Sequence, residues 1–139
     1  MRKFEVMGTP VAKGRPRVTK WGAYTPEKTV NYENLVQFSY LQEHKDKKPM
    51  EDYLKVEVAF YMPIPKSTNK KNRSLMIGWK LRPDKKPDID NMIKSITDAL
   101  NGICYVDDKQ VVEIHAYKFY SEEPKAVVMV SNIDINTNI

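Results

Sequence analysis

An α-helix with one apolar face is the strongest structural signal in this sequence. Its apolar residues recur at spacings of four, three and four: Ile89, Ile93, Ile96 and Leu100. That spacing aligns them along one side of a helix, because an α-helix turns once every 3.6 residues. Pro87 marks the start region, and Asn101-Gly102 is a typical end signal. We therefore predict a helix here with one face buried against a core.

Other elements are predicted on the N-terminal side of this helix. Residues 2–7 and 54–62 are predicted to be strands, the second because it alternates apolar and polar residues. Thr25 is predicted to cap a second helix, which begins at Pro26 and runs to about Glu43. The buried side of that helix is predicted to include Leu35, Phe38 and Leu41.

The remaining segments complete the predicted fold. KQVVEIHAYKFY is predicted to form an antiparallel hairpin with KAVVMVSNI, turned by Glu122, Glu123 and Pro124. The polar, basic segment 66–86 is predicted to be a loop, with a short helix around 72–76 as the alternative. Together the elements predict one α/β (α+β) domain over residues 1–139, with a mixed β-sheet packed against the two main helices.

Basic residues are concentrated in two segments. The formal net charge of +5 favours a polyanionic partner, nucleic acid ahead of an anionic membrane surface. Residues 1–31 hold seven basic and two acidic side chains, and residues 66–86 hold eight and one. In KGRPR a solvated loop is the alternative, but the proline between two arginines favours phosphate contact. The predicted nucleic-acid contacts are Lys13, Arg15, Arg17, Lys70, Lys71, Arg73 and Lys86.

Cysteine content and hydropathy restrict the compartment. The single cysteine, Cys104, cannot form an intramolecular disulfide, so nothing points to an oxidising environment. MRKFEV is not followed by an apolar run of signal-peptide length, and no segment approaches the roughly 20 apolar residues of a membrane span. We expect a soluble, cytoplasmic protein without a membrane partner.

Carboxylates are concentrated in the C-terminal part, where residues 87–139 hold nine acidic and four basic side chains. Such charges would repel nucleic acid unless they hold a cation. Asp90 and Lys94 are four residues apart, hence neighbours on the helix face opposite the apolar stripe, and Asp88 lies at the helix start. An antiparallel return of the chain would bring Asp107 and Asp108 toward them.

Three carboxylates from two elements can therefore converge on one cation. Oxygen ligands without a His–Cys pattern select Mg²⁺ or Mn²⁺, which assist phosphodiester hydrolysis. Lys94 can then stabilise the transition state. From the residues alone, blander interpretations stay open: capping for Asp88 and Asp90, an ordinary helix pair worth about 0.3 kcal/mol for Asp90 and Lys94, and a turn at Asp107-Asp108.

The run PDIDNMIKSITDALNGICYVDDKQV, residues 87–111, closely resembles the hallmark of the RusA-like Holliday junction resolvases. GTPVAKGRPR and YTPEKT are similar to the N-terminal pattern of that family, while residues 45–80 match it least. The resemblance implies a RusA-like fold, with Asp88, Asp90 and Asp108 as the metal-binding catalytic carboxylates and Lys94 as the catalytic lysine.

The resemblance also implies a homodimer that cuts four-way junction DNA by paired symmetric incisions. Mg²⁺ is the implied cofactor, with Mn²⁺ as a substitute, and no small-molecule cofactor is expected. Pro87 departs from the family pattern, because some members carry a basic residue there, so neither cut preference nor junction distortion is carried over. Two other functions compete: a non-catalytic nucleic-acid-binding module, and a metal-dependent nuclease acting on simple duplex or flap DNA.

Overall fold

The computed structural model describes residues 1–134. Its strands and helices follow one another in this order: β1 (Arg2–Met7), β2 (Arg17–Thr19), β3 (Gly22–Tyr24), α1 (Glu27–His44), β4 (Leu54–Pro63), α2 (Lys70–Ile77), α3 (Ile89–Leu100), a short 3₁₀ helix (Asp108–Gln110), β5 (Val111–Ser121) and β6 (Lys125–Asn132).

Four strands form a mixed sheet in the order β1-β6-β4-β5. The pairing of β4 with β5 is parallel, and the pairings of β4 with β6 and β6 with β1 are antiparallel. Every second residue of β4 from Leu54 to Met62 is buried, because alternate side chains of a strand point to one face. That face packs with α1 and α3 around one core. The predicted fold class is confirmed.

The predicted hairpin between β5 and β6 is wrong. These two strands lie on opposite sides of β4 and do not pair with each other. Their connection, residues 122–124, crosses the end of β4, which requires about 10 Å, or two strand spacings. Three residues can span this distance. The strand β4, which has the most regular alternation of buried residues, therefore lies between β5 and β6. A hairpin between β5 and β6 would have left no room for it there.

The α3 helix matches its prediction. Met92, Ile93, Ile96 and Leu100 are buried on one side, with Ile89 partly buried at the start. Asp88 is the N-cap residue. The helix ends at Leu100 with Asn101 as its C-cap, and Gly102 follows with a φ of 78°, a left-handed conformation that glycine adopts without steric cost.

The α1 helix is present, but its predicted buried side is wrong. It begins at Glu27, one residue later than predicted, and Phe38 is 59% exposed, with Leu35 and Leu41 also exposed. The opposite side is buried instead and includes Tyr32, Val36, Tyr40 and His44. Tyrosine and histidine supply the apolar area there, while Tyr40 keeps a polar contact by accepting a 2.7 Å hydrogen bond from Arg2.

The segment 66–86, predicted to be a loop with a short helix around 72–76 as the alternative, contains a helix, and residues 17–24, for which no element was predicted, form two short strands. Residues 70–77 form α2, and the Asn69 side chain caps it by accepting a 2.8 Å hydrogen bond from the Asn72 amide. β2 and β3 pair as a small antiparallel ribbon. Neither α2 nor the ribbon has a buried residue, so neither leaves a periodic apolar signal in the sequence.

The single cysteine belongs to the core. Cys104 is fully buried, and burial raises the pKa of its thiol. Among residues 1–134, none of the helices combines the length and the apolar character that a membrane span requires.

Candidate active site

Two of the predicted carboxylates lie together at the start of α3. Asp88 occupies the N-cap position and Asp90 lies in the first turn. Both residues are exposed and line a cavity of about 480 Å³, whose wall also includes Tyr117 and Lys118 of β5. Because the N-terminus of a helix carries partial positive charge, it stabilises anionic groups at this position.

The capping alternative does not describe Asp88, because its side chain makes no capping hydrogen bond. A local structural role does describe Asp107, for which the sequence left a turn open. The Asp107 carboxylate accepts a 2.9 Å hydrogen bond from the Lys109 amide, which lowers the pKa of that carboxyl. The Gln110 side chain accepts a 2.9 Å bond from the Asp107 amide, completing a capping box. Asp107 is therefore engaged in local structure, whereas Asp88 keeps its carboxylate available to a ligand.

Asp108 opens the 3₁₀ helix that packs against α3. Nearby, the Tyr105 hydroxyl donates a 2.6 Å hydrogen bond to the Thr97 carbonyl; burial raises the pKa of Tyr105, and the charge of Asp108 adds to the shift. Among residues 1–134, no three His, Cys, Asp or Glu side chains lie close enough to hold a metal ion together. The convergence of Asp88, Asp90 and Asp108 therefore stays a prediction.

Lys94 pairs with an acidic residue further along α3. Its Nζ lies 3.3 Å from Oδ2 of Asp98, and this is the ion pair that Lys94 makes within the described part of the chain. The alternative of an ion pair between Lys94 and Asp90 does not describe this part of the chain. The Lys94 side chain is 61% exposed, so it is accessible to a phosphate group bound beside Asp90.

Asp98 also connects this helix to the N-terminal basic segment. The Lys13 Nζ lies 3.3 Å from Asp98 and 2.9 Å from Glu33 of α1. Burial lowers the pKa of Lys13, but the two carboxylates more than offset it, so the pKa is raised overall. Lys13 is only 19% exposed, so in this structure it holds segments together and does not face solvent as a phosphate ligand would.

The segment around Lys13 is fixed against both main helices by hydrogen bonds. The Ser95 Oγ is fully buried and donates to the Val11 carbonyl at 2.8 Å. The Lys13 amide donates to the Asn91 carbonyl, also at 2.8 Å. Glycine suits position 14, because an added Cβ would lie 2.8 Å from the Thr29 hydroxyl and would require that side chain to move. The basic segment is thus held beside the first turns of α3.

Other residues predicted to bind nucleic acid differ in their surroundings. Arg15 and Arg17 are exposed and line a second cavity, of about 570 Å³, with Pro87 in its wall. Arg73 pairs with Glu122 at 3.3 Å. The lysines predicted in this role outside the N-terminal segment are all exposed: Lys70, Lys71 and Lys86. The DNA contacts of all these residues stay predictions.

Sequence reasoning missed Lys118. Its Nζ donates hydrogen bonds of 2.8 Å to the carbonyls of Lys85 and Pro87, and so holds the loop that leads into Asp88. Lys118 belongs to β5 and is 31 residues from Pro87, so no local pattern connects the two. Only the packing of α3 beside β5 brings this lysine to the carboxylates.

Comparison with known proteins identifies the family of the chain. The family model described as "Endodeoxyribonuclease RusA" matches residues 7–131. The chain belongs to the RusA endodeoxyribonuclease family, which confirms the resemblance and implies endodeoxyribonuclease activity. A relative from Bacillus subtilis (strain 168), "Uncharacterized protein YqaN", is 39% identical over 137 residues, covering 94% of this chain and 96% of that protein.

Proposed function

We propose that this protein is a divalent-metal-dependent endonuclease that resolves Holliday junctions by paired, symmetric phosphodiester cleavage. The observation that carries the proposal is the pair Asp88 and Asp90, which share one cavity at the head of α3 in a chain of the RusA family. The carboxylate of Asp88 takes no part in capping, so local structure does not account for it.

The donor set fits a hard divalent cation. Asp88 and Asp90 offer exposed carboxylate oxygens, the ligands that Mg²⁺ and Mn²⁺ prefer, and Asp108 is the proposed third ligand. A bound Mg²⁺ or Mn²⁺ supplies Lewis acidity toward a phosphate oxygen. Even with three carboxylates from one chain, much of the coordination would be left to water and to phosphate, as is usual for Mg²⁺ sites.

The chain's own residues orient the substrate and stabilise charge. The exposed ammonium of Lys94 can stabilise negative charge on the phosphate or on the leaving oxygen. Asp98 positions that ammonium by pairing with it one turn further along the helix. Lys118 holds the backbone of the loop before Asp88 through its two carbonyl contacts, so this loop does not have to be ordered when DNA binds.

Exposed basic side chains next to the site would hold the DNA backbone. Arg15, Arg17 and Lys28 line the cavity that includes Pro87, and Lys86 is exposed directly before it. Arginine and lysine bind phosphate through charge and hydrogen bonds without reading sequence. We therefore assign junction selectivity to geometry around the site and not to base recognition by these residues.

Resolution of a four-way junction requires two cuts in symmetry-related strands. The chain has one Asp88–Asp90 pair and no internal repeat that would supply a second. We therefore propose a closed C2 homodimer with both sites facing one junction. Light scattering should give a dimer mass, and dimers that mix wild-type with Asp88→Asn subunits should nick one strand without the second incision.

The test is cleavage of a synthetic four-way junction, compared with a linear duplex and a flap of the same sequence. With Mg²⁺ the wild-type protein should make two symmetric incisions in the junction and leave the duplex largely intact. In EDTA it should bind without cutting.

Equal cutting of duplex or flap would favour the simple nuclease. Metal-independent binding with no cleavage in Mg²⁺ or Mn²⁺ would favour a non-catalytic binding module.

A further inference from the structure

The β2–β3 ribbon exposes apolar side chains that the proposed chemistry does not use. Trp21, at its tip, is 86% exposed, the highest value of any large hydrophobic residue among residues 1–134. Val18 is 82% exposed and Tyr24 half exposed. A soluble protein places single apolar residues at its surface routinely, but three on the eight strand and turn positions 17–24 mark a contact surface.

The ribbon has a fixed base and a structured tip. At its base the Gly14 amide donates to the Thr29 hydroxyl at 2.8 Å, and Pro26 begins the cap of α1. At its tip the Thr19 hydroxyl accepts a hydrogen bond from the Trp21 amide and donates one to the Gly22 carbonyl. Gly22 has a φ of 117°, which only glycine adopts freely. Trp21 is therefore presented on a defined turn.

The charge of this segment identifies the kind of partner. Residues 6–26 contain four basic and no acidic side chains. The Lys20 ammonium lies 5.1 Å from the centre of the Trp21 ring, which leaves the other face of the ring open. Cations beside an open aromatic face bind nucleic acid through phosphate contacts and base stacking. In a two-fold contact between copies of this chain, the same cations would repel each other.

The ribbon also lies beside the candidate active site. Arg15 and Arg17, at its base, share a cavity with Pro87, the residue before Asp88. Trp21 follows Arg17 by four residues, a reach of up to about 13 Å. This corresponds to about four base steps along a DNA strand. A base contacted by Trp21 would thus belong to the same few nucleotides as the phosphate at Asp88.

We propose that the β2–β3 ribbon engages branched DNA and that Trp21 stacks on a base left unstacked at the branch point. In a continuous duplex every base is already stacked between neighbours, so an inserted ring must first separate them at a cost of a few kcal/mol. At a branch point this separation has already occurred. The ribbon therefore favours junctions over duplex, which deepens the proposed function and rests on it.

Fluorescence tests the location of the contact, because the chain has only two tryptophans. Trp79→Phe leaves Trp21 as the reporter, and Trp21→Phe leaves Trp79 as the matched control. Each protein is titrated in EDTA with a four-way junction and with a linear duplex. We expect strong quenching of Trp21 by the junction, weak quenching by the duplex, and a smaller response from Trp79. A response from Trp79 without one from Trp21 would overturn the proposal.

Binding affinities of Trp21 variants test whether the ribbon favours the junction over the duplex. Trp21→Ala should weaken junction binding roughly fivefold to 100-fold and duplex binding by less than about twofold. Trp21→Phe keeps a ring and should stay within about threefold of wild type. Tyr53→Ala removes another exposed aromatic side chain and should change neither.

The outcomes separate this inference from the proposed function. If wild type prefers and cleaves the junction while Trp21→Ala binds it equally well, or loses junction and duplex affinity to the same extent, the ribbon proposal fails alone. If Trp21→Ala instead converts a dimer to a monomer without DNA, the partner of Trp21 is a second copy and the proposal is wrong. If wild type shows no junction preference, the proposed function fails as well.

Discussion

The loop that leads into α3 and the β2–β3 ribbon border one cavity, through Pro87 and Arg17, but the helix and the ribbon are stabilised in opposite ways. The α3 helix buries six of its twelve residues, and its first turns are tied to the Val11 and Lys13 backbone and to Lys118 through the preceding loop. The ribbon buries none of its strand residues. An isolated two-stranded ribbon is only marginally stable in water.

This difference matches two different tasks. Carboxylates that act on a phosphate must be held within a fraction of an ångström of one geometry, which requires a packed support. A surface that recognises branched DNA must instead present side chains to a large and variable partner, and exposed segments on a rigid base do this well. The predictions below test whether chemistry depends on the first region and recognition on the second.

The largest effect is expected from Asp90→Asn, which removes a charged ligand at nearly constant shape. Junction cleavage should fall by at least about 100-fold, because loss of a carboxylate weakens the metal-dependent stabilisation of the transition state. Junction binding in EDTA should be retained. Single-turnover cleavage and mobility-shift assays measure the two quantities.

Asp107→Asn is the matched control for that variant. Asparagine caps a helix about as well as aspartate, so cleavage should stay within about threefold of wild type. Cleavage by Asp90→Asn at the wild-type rate, or inactivation by Asp107→Asn alone, would show that the catalytic carboxylates are wrongly assigned.

The second largest effect is on the free energy of unfolding. Ile96→Ala removes a fully buried side chain between α3 and the sheet and should lower stability by about 2–5 kcal/mol. Val18→Ala, in the ribbon, should change it by less than about 0.5 kcal/mol. Denaturant unfolding measures both. A comparable loss from Val18→Ala would mean that the ribbon is packed in solution and is not a free surface.

The sequence predicts an element of this fold well where the buried residues of that element are aliphatic and evenly spaced. The stripe of α3 and the alternation of β4 are visible because burial imposes a period on apolar residues. The buried side of α1 is not, because Tyr32, Tyr40 and His44 take the place of aliphatic residues there. Contacts between distant segments, such as Lys118 with the Pro87 carbonyl, leave no local pattern at all.

In the candidate site, too, local features are predictable from the sequence and contacts between distant segments are not. The positions of Asp88 and Asp90 at the head of a helix follow from local spacing, and the structure agrees. Lys94 pairs with Asp98 and not with Asp90. Which of the two it contacts depends on the side-chain conformation that the surroundings favour. The engagement of Lys13 by Glu33 and Asp98 likewise depends on how α1 and α3 pack together. Spacing alone specifies neither.

A smaller effect is expected where the basic segment is tied to α3. Ser95→Ala leaves the Val11 carbonyl without its side-chain donor and should lower stability by about 1–2 kcal/mol. Ser74→Ala, at an exposed position of α2, should change it by less than about 0.5 kcal/mol. Thermal or denaturant unfolding of the two variants gives the comparison. Equal stability of both would show that this hydrogen bond does not hold the segment in place.

The smallest effect on the fold is expected from replacing Arg15 and Arg17 together by alanine. Both are exposed, so stability should change by less than about 0.5 kcal/mol. Binding should change instead, because each arginine that neutralises a phosphate contributes about 0.9 to the slope of log affinity against log salt. The double variant should therefore lower that slope by up to about 2.

Lys13→Ala is the matched control and should lower stability with little change in the salt slope. It leaves the Glu33 and Asp98 carboxylates without their shared cation. An unchanged slope in the double variant, with a reduced slope in Lys13→Ala, would mean that Lys13 leaves its ion pairs to bind DNA and that the fixed and exposed parts of this segment have exchanged roles.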